Sequence, residues 1–174
     1  MNKTNKKSKT KTPKILKESE FSPLAIEIIK KLKKSGFQAY LVGGCVRDLL
    51  VGIKPKDFDV STNATPEEVR KIFKSSRIIG KRFRLVHVFG RNELIEVSTF
   101  RANISRNENT SEVLKDSEGK ILRDNVWGTL EEDCIRRDFS INALYFDPLK
   151  NLLHDFHNGL NHIQKKILVS IGDP

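Results

Sequence analysis

At 174 residues the chain is long enough for one domain and part of a second, and its 37% apolar content supports a core of modest size. The net charge of +10, from 32 Lys and Arg against 22 Asp and Glu, favours a polyanionic partner, nucleic acid first. No apolar run is long enough for a membrane span. Residues 1–20 hold seven Lys, two Glu and no Arg, so half of the surplus charge sits there. This stretch reads as a disordered basic tail, with a single folded domain over 21–174. It lacks the apolar stretch of a secretory signal and the arginines of a transit peptide. Cys45 and Cys134 show no CxxC spacing and read as buried free thiols, so the expected setting is a reducing cytoplasm.

Ser22-Pro23 opens a helix that repeats Leu24, Ala25, Ile28, Ile29 and Leu32 at helical spacing and ends at Gly36. Ala39–Val42 reads as a buried strand, Cys45–Val51 as a short helix closed by Gly52, and Asp57–Val60 as the next strand. Thr65-Pro66-Glu67-Glu68 is a capping box for a helix that buries Val69, Ile72 and Phe73. Arg84–Phe89 and Leu94–Phe100 form a hairpin through the turn Gly90–Glu93, and Leu94, Glu96, Ser98 and Phe100 share one face of its second strand. Residues 103–120 are polar and read as a mobile loop. Thr129 and Glu132 make a second capping box, for a helix carrying Cys134, Ile135, Arg136 and Arg137. Asn142–Phe146 reads as extended, and 154–171 as a turn at Asn158-Gly159 with a short helix. No internal repeat is visible. Helices interleaved with strands that include a hairpin predict an α/β or α+β domain with a mixed sheet flanked by helices.

The chemistry concentrates in two stretches. Asp57 and Asp59 are one residue apart in a predicted strand, where side chains i and i+2 share a face about 7 Å apart at their Cα atoms. Such a pair can hold two divalent ions about 3.5–4 Å apart. Gly43 and Gly44 stand just upstream, where a glycine turn brings backbone N–H groups and a helix N-terminus to a triphosphate. Arg47 adds a guanidinium, and Asp48 follows it. Glu96 is a third acidic candidate, since a mid-strand carboxylate calls for a metal or an arginine partner unless its edge faces water. Arg136-Arg137-Asp138-Phe139-Ser140-Ile141-Asn142 can grip phosphate, ribose or base edges, or serve only as helix-end charge. Arg82 and Arg84 flank Phe83 and are candidates for RNA contact, with a solvated basic strand as the alternative. His87 reads as a structural histidine and Trp127 as core.

Three runs together carry a family resemblance: Leu41-Val42-Gly43-Gly44-Cys45-Val46-Arg47-Asp48, Lys56-Asp57-Phe58-Asp59-Val60, and Arg136-Arg137-Asp138-Phe139-Ser140-Ile141-Asn142-Ala143-Leu144. From about residue 38 onward the chain resembles the head domain of bacterial class II nucleotidyltransferases, the CCA-adding tRNA nucleotidyltransferases and poly(A) polymerases. Gly80–Val88 and Leu122–Asp133 look more like the poly(A) polymerases. The resemblance implies a polymerase-beta-like nucleotidyltransferase fold, Mg²⁺, ATP as substrate and RNA 3′ ends as partner. By position it implies that Asp57 and Asp59 are metal ligands and that Gly44, Arg47 and Arg137 contact nucleotide; Gly43, Asp48 and Asn142 are grouped with these. Glu96 matches the family's third acidic strand position and Asp138 an active-site aspartate, and the two stand as alternatives for the third catalytic carboxylate.

Family members continue into neck and body helices, and this chain stops near that junction. It reads either as a fragment or as an unusually short protein. The expected activity is template-independent addition of AMP from ATP to RNA 3′ ends. The alternatives are CCA addition to tRNA and a truncated, non-catalytic nucleotide- or RNA-binding head.

Overall fold

The computed structural model describes residues 9–11, 16–81, 83–102, 113–115, 121–124 and 126–172. The chain begins with a short strand β1 (Lys9–Lys11) and a 3-10 turn at Glu18–Glu20. Helix α1 (Pro23–Lys34) follows; the Ser22 hydroxyl accepts the Ala25 N–H and Pro23 takes the first turn. Strand β2 (Ala39–Val42) leads straight into α2 (Gly44–Val51), which stops at the left-handed Gly52. Next come β3 (Asp59–Thr62), α3 (Pro66–Ile72) and β4 (Ser76–Ile79), then the hairpin of β5 (Leu85–Phe89) and β6 (Leu94–Thr99). Strands β7 (Val113–Lys115) and β8 (Ile121–Asp124) pair with each other. Helix α4 (Leu130–Ile135), a 3-10 turn at Ser140–Asn142, β9 (Leu144–Asp147), β10 (Leu152–Asp155) and α5 (Gly159–Lys165) complete the order. Both predicted capping boxes form, Thr65 with Glu68 and Thr129 with Glu132.

Eight strands make one mixed sheet in the order β1-β10-β9-β2-β3-β6-β5-β4. Alternation along each strand sends side chains to two faces. One face carries Leu41, Val60, Val86, Val97 and Phe146 and is covered by Ile28, Ile29 and Leu32 of α1, Val46 and Leu49 of α2, and Val69 of α3. The opposite face carries a smaller cluster of Val42, Phe100 and Tyr145 under Leu130 and Cys134 of α4. Residues directly opposite one another point the same way, so cross-strand register draws a row on this second face. The row runs His154, Tyr145, Val42, Asp59, Glu96, His87, Arg77. It is apolar where α4 covers it and charged where it does not.

Several expectations shift. Part of the presumed tail is structured: Lys9–Lys11 pairs with β10 and Leu16 is buried, because β10 would otherwise be an open edge. Glu18–Glu20 forms the 3-10 turn, and residues 1–8 and 12–15 lie outside the described residues. Strand β3 begins at Asp59, not Asp57. Its partner β2 ends at Val42, opposite Asp59, and the chain then turns at Gly43, so β2 offers Asp57 no partner on that side. Val113–Lys115, predicted as loop, is strand, while 103–112 and 116–120 lie outside the described residues. The extended segment predicted from Asn142 starts at Leu144, after the 3-10 turn. Strands β4 and β10 were not anticipated. Cys45 and Cys134 are buried and free, as expected. Trp127 is half-buried and bridges to Arg101. Among the described residues no helix is long and apolar enough to cross a membrane.

Candidate nucleotidyl-transfer site

The turn between β2 and α2 is built on Gly43, whose φ of 76° and ψ of −135° suit glycine and strain an L side chain. Gly43 takes the N-cap position without a side-chain cap, so the first N–H groups of α2 carry no capping acceptor. Two guanidinium groups lie over this turn. A Cβ on Gly43 would sit 3.4 Å from Arg137 Nη1, and one on Gly44 would sit 3.6 Å from Arg47 Nη2. The small residues leave room for the arginines to approach the backbone donors.

Arg47 is held from two sides. Its Nε and Nη2 donate to Asp48 Oδ1 at 2.9 and 2.8 Å, and its Nη1 donates to Asn142 Oδ1 at 2.9 Å. Asn142 Nδ2 donates in turn to Asp138 Oδ1 at 3.2 Å, an oxygen that also accepts the Phe139 N–H at 2.7 Å. Asp48 thus stands as the anchor of Arg47, and Asp138 belongs to the arginine side of the site.

The carboxylates make the other side. Asp59 and Glu96 are adjacent in register on parallel strands, and Asp57 stands exposed just ahead of β3. Burial pushes the Asp59 carboxyl up from its ordinary 3.8; Glu96 and, less strongly, Asp57 add to this, while Arg137 opposes it. These four charges therefore share one electrostatic neighbourhood. Of the two candidates for a third carboxylate, Glu96 is the one beside Asp59. It is half-exposed, and His87 Nε2 lies 3.3 Å from its Oε1. Among the described residues no three His, Cys, Asp or Glu form a closed metal cage. A pair of carboxylates that repel each other on an open face, with room for substrate oxygens, still suits a hard cation such as Mg²⁺.

Sequence reasoning missed Asp133 and Tyr145. The Tyr145 hydroxyl donates to Asp133 Oδ2 at 2.5 Å and accepts from Arg137 Nε at 2.8 Å, all beneath the site. The spacing of Asp133, in α4, and Arg137, four residues on and just past the helix end, was the available signal. Arg84 is paired with Glu67 of α3 at 2.5 Å, and Arg82 lies outside the described residues. A cleft of about 470 Å³ lined by Tyr40, Phe100, Glu131 and His154 includes none of the three carboxylates Asp57, Asp59 and Glu96.

Residues 39–169 match the poly A polymerase head domain family. Poly(A) polymerase I of Haemophilus influenzae is 50% identical over 156 residues, covering 89% of this chain and 34% of that protein. The CCA-adding enzyme of Listeria monocytogenes is 40% identical over 149 residues, covering 85% and 35%. The solved Bacillus stearothermophilus CCA-adding enzyme in complex with CTP superposes with a TM-score of 0.66 at 34% identity, covering 87% of this chain and 34% of that one. The chain thus spans about a third of the length of the curated relatives it matches. With the mixed sheet, the glycine turn and the carboxylate row in the order found here, the chain belongs to the poly(A) polymerase head-domain family and has the polymerase-beta-like nucleotidyltransferase fold.

Proposed function

We propose that this chain is the nucleotidyl-transfer head of a template-independent RNA polymerase that adds AMP from ATP to RNA 3′ ends. The observation that carries the reading is the meeting of Asp59 and Glu96, in register on one open face, with Arg137 and the Gly43-Gly44 turn. The first N–H groups of α2 would bind phosphate oxygens, helped by the positive end of the helix. Arg137 and Arg47 would hold the triphosphate, and the Asp48 and Asn142 contacts would keep Arg47 from swinging away. Asp57 and Asp59 would hold Mg²⁺, which when bound lowers the pKa of the attacking hydroxyl and neutralises charge on the leaving oxygens.

In the reaction the RNA 3′-oxygen forms a bond to the α-phosphorus and the bond to the β-phosphate oxygen breaks. Pyrophosphate leaves and the hydroxyl proton passes to solvent. No protein side chain needs to become covalently attached; orientation and charge carry the rate. Glu96 would complete the acidic face and Asp138 would order Asn142. Arg82 and Arg84 are proposed to contact RNA only if Arg84 leaves Glu67. Two buried free thiols support a reducing cytoplasmic setting.

Incubating the protein with a labelled RNA oligonucleotide, Mg²⁺ and ATP should lengthen the RNA, and Asp57→Ala or Asp59→Ala should abolish this without unfolding the chain. Lengthening that persists in both variants would remove the assignment. Addition limited to a CCA end on tRNA would move the protein to the CCA-adding branch.

A further inference from the structure

Arg137 faces the site with only part of its guanidinium. Its Nε donates to the Tyr145 hydroxyl at 2.8 Å, its Nη2 lies 3.7 Å from Asp133 Oδ2, and its Cζ sits 5.1 Å from the centre of the Tyr145 ring. The remaining nitrogen, Nη1, lies beside Gly43 and reaches the Asn142 carbonyl at 3.4 Å. One edge is thus held by Tyr145 and Asp133, and the other, with a single long bond to the Asn142 carbonyl, lies at the glycine turn.

The holding groups are themselves fixed. Tyr145 is fully buried on β9, in the same cross-strand row as Asp59, and Asp133 is buried on α4. Burial pushes the Tyr145 pKa up despite the lowering effect of Arg137, so the hydroxyl keeps its proton. A carboxylate can only accept, so that proton points to Asp133 and the oxygen lone pairs point to Arg137. Asp133 spends its second oxygen on the Arg101 N–H at 3.1 Å, at the exit of the strand that bears Glu96. The Asp133 end of the line is therefore tied to the strand that carries Glu96, and Tyr145 lies in the cross-strand row that includes Asp59.

We infer that Asp133 and Tyr145 are positioning residues, a buried line that aims Arg137 at the triphosphate. This rests on the reading of Arg137 as a nucleotide contact. A guanidinium on four rotatable bonds would otherwise lose side-chain freedom each time nucleotide bound. The line makes that loss once, on folding.

The test is Mg²⁺·ATP titration of four proteins: wild type, Tyr145→Phe, Arg137→Ala and the double variant, each with its urea-unfolding midpoint. Tyr145→Phe keeps the ring and its packing. It should weaken ATP binding by about 3- to 10-fold, the value of one hydrogen bond. In the Arg137→Ala background the same change should cost nothing further, because its effect passes through Arg137. A general loss of packing would give the same penalty in both backgrounds, and that result would overturn the inference. So would full ATP affinity in Tyr145→Phe when Arg137→Ala binds weakly. Unchanged affinity in Arg137→Ala itself would instead show that the nucleotide-contact reading has failed.

Discussion

Arg47 and Asn142 stand 95 residues apart in the chain and share a 2.9 Å hydrogen bond, Nη1 donating to Oδ1. The same amide donates to Asp138, so one side chain joins α2 to the segment behind α4. Asn142→Ala should cost about 1 kcal/mol of stability, below the usual range for a bond to a charged group because the site is only part-buried. ATP affinity should fall with it, since Arg47 keeps only its link to Asp48. Urea denaturation and titration calorimetry check the two effects separately. An Asn142→Ala protein with wild-type affinity would show that Asp48 alone orders Arg47.

Gly43→Ala should be more damaging than its size implies. The backbone at Gly43 has a φ of 76° and a ψ of −135°, and the new Cβ would come into contact with Arg137 Nη1 at 3.4 Å. The backbone strain alone is worth about 1–3 kcal/mol. Displacement of Arg137 should add a loss of nucleotide binding. Gly52→Ala is the control, because Gly52 also has positive φ but meets nothing within 4 Å. It should lower the unfolding midpoint and leave ATP affinity intact.

Stability in the metal-free protein should depend on pH through Asp59. Its pKa is raised by burial and by Glu96. A carboxyl with a raised folded pKa favours the fold while protonated. That contribution is whole below the unfolded pKa and is lost as pH rises through the folded one. Asp59→Asn removes the loss. Chelator-treated wild type and variant, compared from about pH 4 to about pH 7, should diverge in favour of Asn as pH rises. Added Mg²⁺ should narrow the gap by stabilising only the wild type. A constant difference across the range would mean that Asp59 carries no such burden.

The two thiols should be silent in the native state. Cys45 is pushed up to about 11 and Cys134 to about 12, by burial in both cases. Only the thiolate reacts, so a disulfide reagent at about pH 8 should label neither until denaturant is added, and then both. Rapid native labelling of either would contradict the packing described here.

Local chemistry made much of this fold readable. Ser22-Pro23, the two capping boxes and Gly52 each act within one helical turn, and all four sites behave as their side chains dictate. Strand limits were harder, because a strand exists only where a distant partner does. Asp57 has strand-like neighbours and no partner, while Ser76–Ile79 has few apolar residues and a full partner in β5. The site divided in the same way. The glycines, the paired aspartates and the arginines are visible as motifs. Asp133 looks like a helix-start charge and Tyr145 like strand core, and only tertiary contact turns them toward Arg137.

Among the described strands, β3 with β6 is the only parallel pair. The hairpins β4/β5 and β5/β6 close over short turns, but β3 meets β6 only across the intervening α3, β4 and β5. Closing that long crossover also brings Asp59 against Glu96, which oppose each other electrostatically. Such non-local pairing comes late on a folding route. The order of assembly fixes what a cation can do to the kinetics. Divalent ions should slow unfolding and leave the refolding rate nearly unchanged, because the carboxylate pair is absent from the barrier state. Chevron plots with and without Mg²⁺ would then differ in one limb only.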